Sequence, residues 1–164
     1  MRGRHPVDLA RVTAALADMT AAGVDLRIVH LHWGYEFEFY PCPELMKVGR
    51  AVVRAGADVL FGTHPHVVQP MEVCFLNGYE TRYGGDLPGT GCRMTDAAGV
   101  PRKALIAYSL GNFATTMYFR HCRTGLALSL HLDRDPHTGR GDWHAPEAQL
   151  VTNLHRDPTT RRAG

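Results

Sequence analysis

No apolar run in this 164-residue chain approaches the roughly 18–20 residues that a membrane-spanning helix needs. The basic stretch from Met1 to Pro6 is followed by no apolar segment, so the chain reads without a signal peptide and without a membrane span. Charge of one sign is equally scarce. The net charge is +2, and apart from Arg161-Arg162 the basic residues are scattered, which excludes a nucleic-acid-binding stripe. Cysteine is sparse: Cys42, Cys74, Cys92 and Cys122 lie far apart and never as CxxC, which argues against a zinc knuckle or a thioredoxin motif. Reduced, non-catalytic thiols are the expectation; two disulfides in any of three connectivities stay formally open. There is no internal repeat and no low-complexity tract.

What is present is an ordinary soluble globular composition, 45% hydrophobic and 21% charged, with enough length for one domain and a sizeable core. Leu9, Val12, Leu16 and Met19 recur at three- and four-residue steps, predicting a helix over about 7–22 with Pro6 in its first turn and Gly23 closing it. Leu26 to His32 is short and rich in apolar and β-branched residues, as a strand is. A second helix from Pro43 carries Leu45, Val48, Val52 and Ala55 on one face and ends at Gly56, and Asp58 to Gly62 then reads as a buried strand. Strand, helix, strand makes a parallel unit with a right-handed crossover. Residues 77–102 are glycine-rich and without usable period, a surface excursion. Strands are expected again over 104–109 and 126–132, with a Gly111-Asn112 turn between them. Residues 133–164 read as a polar tail in which Ala148 to Leu154 forms a last strand paired with the previous one.

Ten histidines are many for such a chain. Three segments that follow expected strands hold the candidate chemistry: His32-Trp33-Gly34-Tyr35-Glu36, Gly62-Thr63-His64-Pro65-His66 and Ser109-Leu110-Gly111-Asn112-Phe113. Ligands of parallel α/β sheets sit at the carboxyl ends of strands, so adjacent strands would bring these segments to one edge. A single histidine after a strand is ordinarily a hydrogen-bonded surface residue. A His-x-His pair on a rigid turn, with His32 arriving from the next strand, can instead aim imidazoles at one divalent ion. The residues alone leave both readings open. His30 shares the face of His32 and reads as a packed neighbour. His5, His121, His131, His137, His144 and His155 share no spacing and read as solvated. Asn112 either faces the histidines or ends a plain exposed turn.

The ordered series HWGYE, AGADVLFGTHPHVVQPMEV and ALIAYSLGNF resembles the poly-gamma-glutamate capsule biosynthesis (CapA) family over roughly residues 6–132. The resemblance implies an α/β fold: part of an α/β/β/α metallophosphoesterase-like sandwich, with residues 1–132 as its C-terminal part. It implies His32, His64 and His66 as ligands of a divalent metal ion, manganese, zinc or iron, in a hydrolase-like pocket. Glu36 and Asn112 match motif positions and become candidate catalytic residues. The implied substrate is an anionic polymer or a phosphoester, and the implied role is export or synthesis of a bacterial capsule. The location would be cytoplasmic, or cell-envelope-associated if the full protein carries an anchor.

One departure from the family pattern bears on activity. Metallophosphoesterases place carboxylates at strand ends ahead of the histidines. This chain has only Asp8, Asp18 and Asp25 there, two in the expected helix and one before the first strand. The N-terminal half of the sandwich is therefore expected to be missing, to be supplied by another segment or by a homo-oligomer. A partial, inactive domain that binds a metal or an anionic polymer is the alternative to a hydrolase.

Overall fold

The computed structural model describes residues 7–80, 91–136 and 139–153. Helix α1 spans Leu9–Ala21. Its start is set by Asp8, whose side chain accepts from the Arg11 amide at 3.0 Å, satisfying one of the unpaired N–H groups of the first turn. Pro6, the expected first-turn residue, lies outside the described residues. Gly23 closes the helix at φ +71°, a conformation that glycine adopts at least cost. Strand β1 (Ile28–His32), helix α2 (Pro43–Arg54) and strand β2 (Val59–Thr63) form the expected parallel unit. Strands β3 (Met71–Leu76), β4 (Cys92–Met94) and β5 (Arg102–Ala107) complete a five-stranded sheet in the order β1-β2-β5-β3-β4. In it β1, β2 and β5 run parallel, while β3 lies antiparallel to β5 and parallel to β4. A short 3-10 turn at Arg120–Arg123 leads into β6 (Thr124–Arg134), which pairs with β7 (Gly141–Thr152) as a separate antiparallel ribbon. The chain is a mixed α/β domain.

Side-chain alternation sorts the core into two layers. Leu60 and Ile106 face the helices, packing with Leu16, Val52, Val53, Trp33 and Tyr108. Their neighbours Val59 and Leu105 face the other way and are covered by the β6–β7 ribbon through Trp143, Leu128 and Leu130. A period of two thus buries both faces of the central strands. At the opposite end from the histidines, a charged clamp ties the strand starts together. Arg27 Nε donates to Asp58 Oδ2 at 2.9 Å, and Arg102 Nη1 donates to Asp58 Oδ1 at 3.3 Å, all three side chains being buried.

Three expectations are corrected, and one strand is added: the Met71–Leu76 segment, to which the sequence alone assigns no element, is β3. The 77–102 excursion contains β4, and the rest of that segment over 81–90 lies outside the described residues. The tail is more ordered than expected, because residues 141–152 are a strand of twelve residues running the length of β6. Finally, Cys74 and Cys92 are not free thiols but a disulfide. They stand in register on β3 and β4, and no local spacing announces a pairing that parallel strands create across 18 residues of sequence. Cys42 and Cys122 are free.

Candidate metal centre

Strands β1, β2 and β5 end at the same edge of the sheet, and backbone bonds carry their exits forward together. The Trp33 amide donates to the Thr63 carbonyl at 3.1 Å, Leu110 to Gly62 at 3.4 Å and Phe37 to Pro65 at 2.8 Å. Trp33 anchors this edge: its ring is buried against Tyr108, and its Nε1 donates to the Tyr108 carbonyl at 3.0 Å. Gly62 is required beneath it, since a Cβ there would overlap both Trp33 Nε1 and the Tyr108 carbonyl oxygen. Over this floor His64 and His66 take positive φ angles of 103° and 60°. Such a backbone is costly for residues with a side chain, and it is a recurrent mark of functional sites.

The turn places one ligand atom each from His64, His66 and Glu36 within 4.8 Å of one another. His66 Nε2 stands 4.0 Å from Glu36 Oε1. His66 Nδ1 lies 2.9 Å from Asn112 Oδ1, and the Asn112 amide nitrogen donates to the Cys122 carbonyl at 2.9 Å. That second bond fixes the orientation of the amide, so its oxygen must accept from His66 Nδ1–H. His66 is thereby held in the tautomer whose Nε2 carries a free lone pair toward Glu36. Burial, and then the neighbouring His32, lower the pKa of His64, which favours its neutral, ligating form.

His32 sits beside this set and outside it. Its ring centroid is 4.6 Å from that of His64, while its Nδ1 approaches Thr63 Oγ1 at 3.4 Å. The same hydroxyl is 3.0 Å from His30 Nε2, so His30 is a hydrogen-bonded neighbour. The structure therefore brings His64, His66, Glu36 and Asn112 together, with His32 flanking. Three participants were not singled out by sequence: Thr63, the Cys122 carbonyl and Phe37, whose ring is 6.3 Å from His66. Thr63 lies inside the GTHPH segment and could have been found there. His121, read as solvated, packs on Phe119 at 5.6 Å and Phe37 at 6.0 Å. Only the return of the 113–123 segment over the site brings it there.

The donor set suits a divalent cation. One carboxylate and two imidazoles are borderline-hard ligands typical of zinc, manganese or iron. First-row ions bind such atoms at about 2.0–2.2 Å, and the 4.0 Å between His66 Nε2 and Glu36 Oε1 does not exceed twice such a bond.

A family model described as "Bacterial capsule synthesis protein PGA_cap" matches residues 2–117. Among curated proteins, "PGA biosynthesis protein CapA" of Bacillus subtilis (strain 168) is 31% identical over 116 residues, covering 71% of this chain and 23% of that protein. "Capsule biosynthesis protein CapA" of Bacillus anthracis is 27% identical over 128 residues, covering 78% of this chain and 25% of that protein. The chain thus spans about a quarter of the length of these relatives. No solved structure matches it significantly.

Proposed function

Because the chain belongs to the bacterial capsule synthesis PGA_cap family, we propose that it is the metal-binding part of a CapA-type protein acting in poly-gamma-glutamate capsule biosynthesis. In this reading the two sheets and two helices are a portion of an α/β/β/α metallophosphoesterase-like sandwich. The observation that carries the proposal is the convergence of Glu36, His64 and His66, with Asn112 fixing His66 from behind. Glu36 Oε1, His66 Nε2 and a ring nitrogen of His64 would hold one manganese, zinc or iron ion, and His32 stands ready at its side. A divalent ion there would supply Lewis acidity toward a phosphoryl or acyl oxygen and lower the pKa of a bound water. Glu36 lowers the charge of the site, and neutral His64 leaves the ion's remaining positive charge to face an anionic polymer or phosphoester.

A two-metal hydrolase needs further carboxylates to compensate a pair of dications. Among the described residues Glu36 is the one carboxylate in the histidine set. That observation favours a second reading, in which this chain binds a metal or an anionic polymer and turnover requires another segment or a second copy. The test is calorimetric titration of the metal-free chain with manganese and zinc, followed by a phosphodiester assay of the same samples. One ion per chain is expected, lost in His64→Ala, with hydrolysis no faster than that variant. Absence of binding would sink the metal centre. Metal-dependent turnover by the chain alone, abolished in His64→Ala, would overturn the partial reading in favour of the complete hydrolase.

A further inference from the structure

Pairing of β6 with β7 brings together two histidines that the sequence keeps well apart. His131 and His144 are register partners on the two strands, so their side chains leave the ribbon on the same face. That face is the outer one. Leu130 and Trp143, one residue ahead of each, turn the other way into the core, while His131 and His144 are exposed. Their rings stack, with centroids 5.8 Å apart and 18° between the planes. Asp133 follows two residues after His131 and shares its face, and its Oδ2 stands 3.5 Å from His144 Nε2. Just beyond this group the register slips, because Ala145 and Pro146 of β7 together oppose Leu130 alone. Pro146 has no N–H to give to the ladder, and such a bulge sharpens the local twist and re-aims the side chains beside it.

Two imidazoles and one carboxylate are donors that suit zinc and its neighbours among the first-row ions. Two ligand atoms of a tetrahedral ion, each about 2.0–2.2 Å from it, stand about 3.3–3.6 Å apart. The 3.5 Å between His144 Nε2 and Asp133 Oδ2 matches that separation. His131 has only to turn a ring nitrogen toward the same point. Its ring is exposed and free to rotate, and Cβ atoms of cross-strand partners lie only about 4.5–5.5 Å apart. Nothing buried has to open for the ion to arrive, since the side chains of His144 and Asp133 are 48% and 74% exposed. We propose that His131, His144 and Asp133 form a second metal site, on the surface of the ribbon, that takes one zinc ion with water in its open position. The ion ties β6 to β7 beside the bulge. The site shares no residue with the Glu36, His64 and His66 set and does not depend on it. It is the weaker of the two. Asn112 holds His66 from behind, an arrangement worth 10–100-fold in affinity, and among the described residues neither ribbon histidine has such a support. The ribbon therefore fills after the first ion.

The experiment is a titration of the full chain with zinc chloride, followed residue by residue by nuclear magnetic resonance. Saturable shifts are expected at the amides of His131, Asp133 and His144. His131→Gln, at an exposed position, removes one ligand and should weaken binding at the ribbon by about tenfold or more, leaving the response of His64 and His66 as it was. Asp133→Asn should act in the same direction. Magnesium carries the same charge but does not favour imidazole, so it should leave the ribbon amides unmoved. Shifts that do not saturate, equal shifts with magnesium, or an unchanged ribbon affinity in His131→Gln would each overturn the proposal. The two sites report through different amides, so failure of the ribbon site is distinguishable from failure of the candidate centre.

Discussion

Asn112 shows how a single side chain sets the chemistry of its neighbour. Its oxygen accepts from His66 and its nitrogen donates to the Cys122 carbonyl, so the ring of His66 cannot turn without breaking a bond. Removing such a partner of a ligating histidine typically costs 10–100-fold in metal affinity. Asn112→Ala should therefore weaken zinc binding by roughly that factor while the fold, followed by circular dichroism, is kept. Unchanged affinity would mean that the amide only ends a turn. Asp58 is the contrasting case, a residue far from the site. It is buried and holds both Arg27 and Arg102. Asp58→Ala leaves the buried Arg27 guanidinium without its carboxylate, while Arg102 keeps Asp96, and should cost about 3–5 kcal/mol in urea unfolding. A loss within about 0.5 kcal/mol, the range of ordinary surface substitutions, would show that water reaches the clamp.

Among the elements, β4 is the most dependent on a partner. It is three residues long and, among the described residues, lies at the sheet margin and pairs with β3 alone. The Cys74–Cys92 bond joins the two strands and closes a loop across 18 residues of sequence. By chain entropy such a closure is worth about 3 kcal/mol. Reduction with dithiothreitol, or Cys92→Ser, should lower the unfolding free energy by about that amount, with hydrogen exchange quickening first around β4. Equal stability of oxidised and reduced chain would show that β4 is held by packing alone. The floor of the candidate site sets a second test at this scale. Gly62 in β2 passes under Trp33 without room for a Cβ, so Gly62→Ala must displace the indole or the Tyr108 backbone. Overpacking of this kind costs about 1–3 kcal/mol, and the displaced Trp33 should also change its near-ultraviolet circular dichroism.

At the scale of the molecule, the described sheet has an open margin at β1, which pairs with β2 only. Ile28 on that strand is 48% exposed, and no described helix crosses a membrane or offers a span for one. An unpaired parallel edge with an exposed isoleucine invites another strand. The isolated chain should self-associate at high concentration, and Ile28→Lys should shift sedimentation toward monomer without loss of stability. A chain that stays monomeric at every concentration would mean that the edge is blunted by its own residues.

Much of this architecture was readable in the residues. The three- and four-residue spacing of Leu9, Val12, Leu16 and Met19, and the stripe of α2, determined the helices, because a local period needs no partner to be seen. The short apolar runs of β1, β2 and β5 marked strands, and the meeting of the HWGYE, GTHPH and SLGN segments at one edge followed from them. Other features were decided only in three dimensions. Strand β3, the Cys74–Cys92 bond and the full length of β7 depend on neighbours distant in sequence, and each lacks a local period of its own. The placing of the histidines was decided the same way. Spacing alone cannot say that His32 Nδ1 lies 3.4 Å from Thr63 Oγ1 while Glu36, in the loop four residues further on, stands 4.0 Å from His66. Side-chain direction at a strand end is set by the backbone of the loop and by what packs over it, and those contacts exist only once the chain has folded.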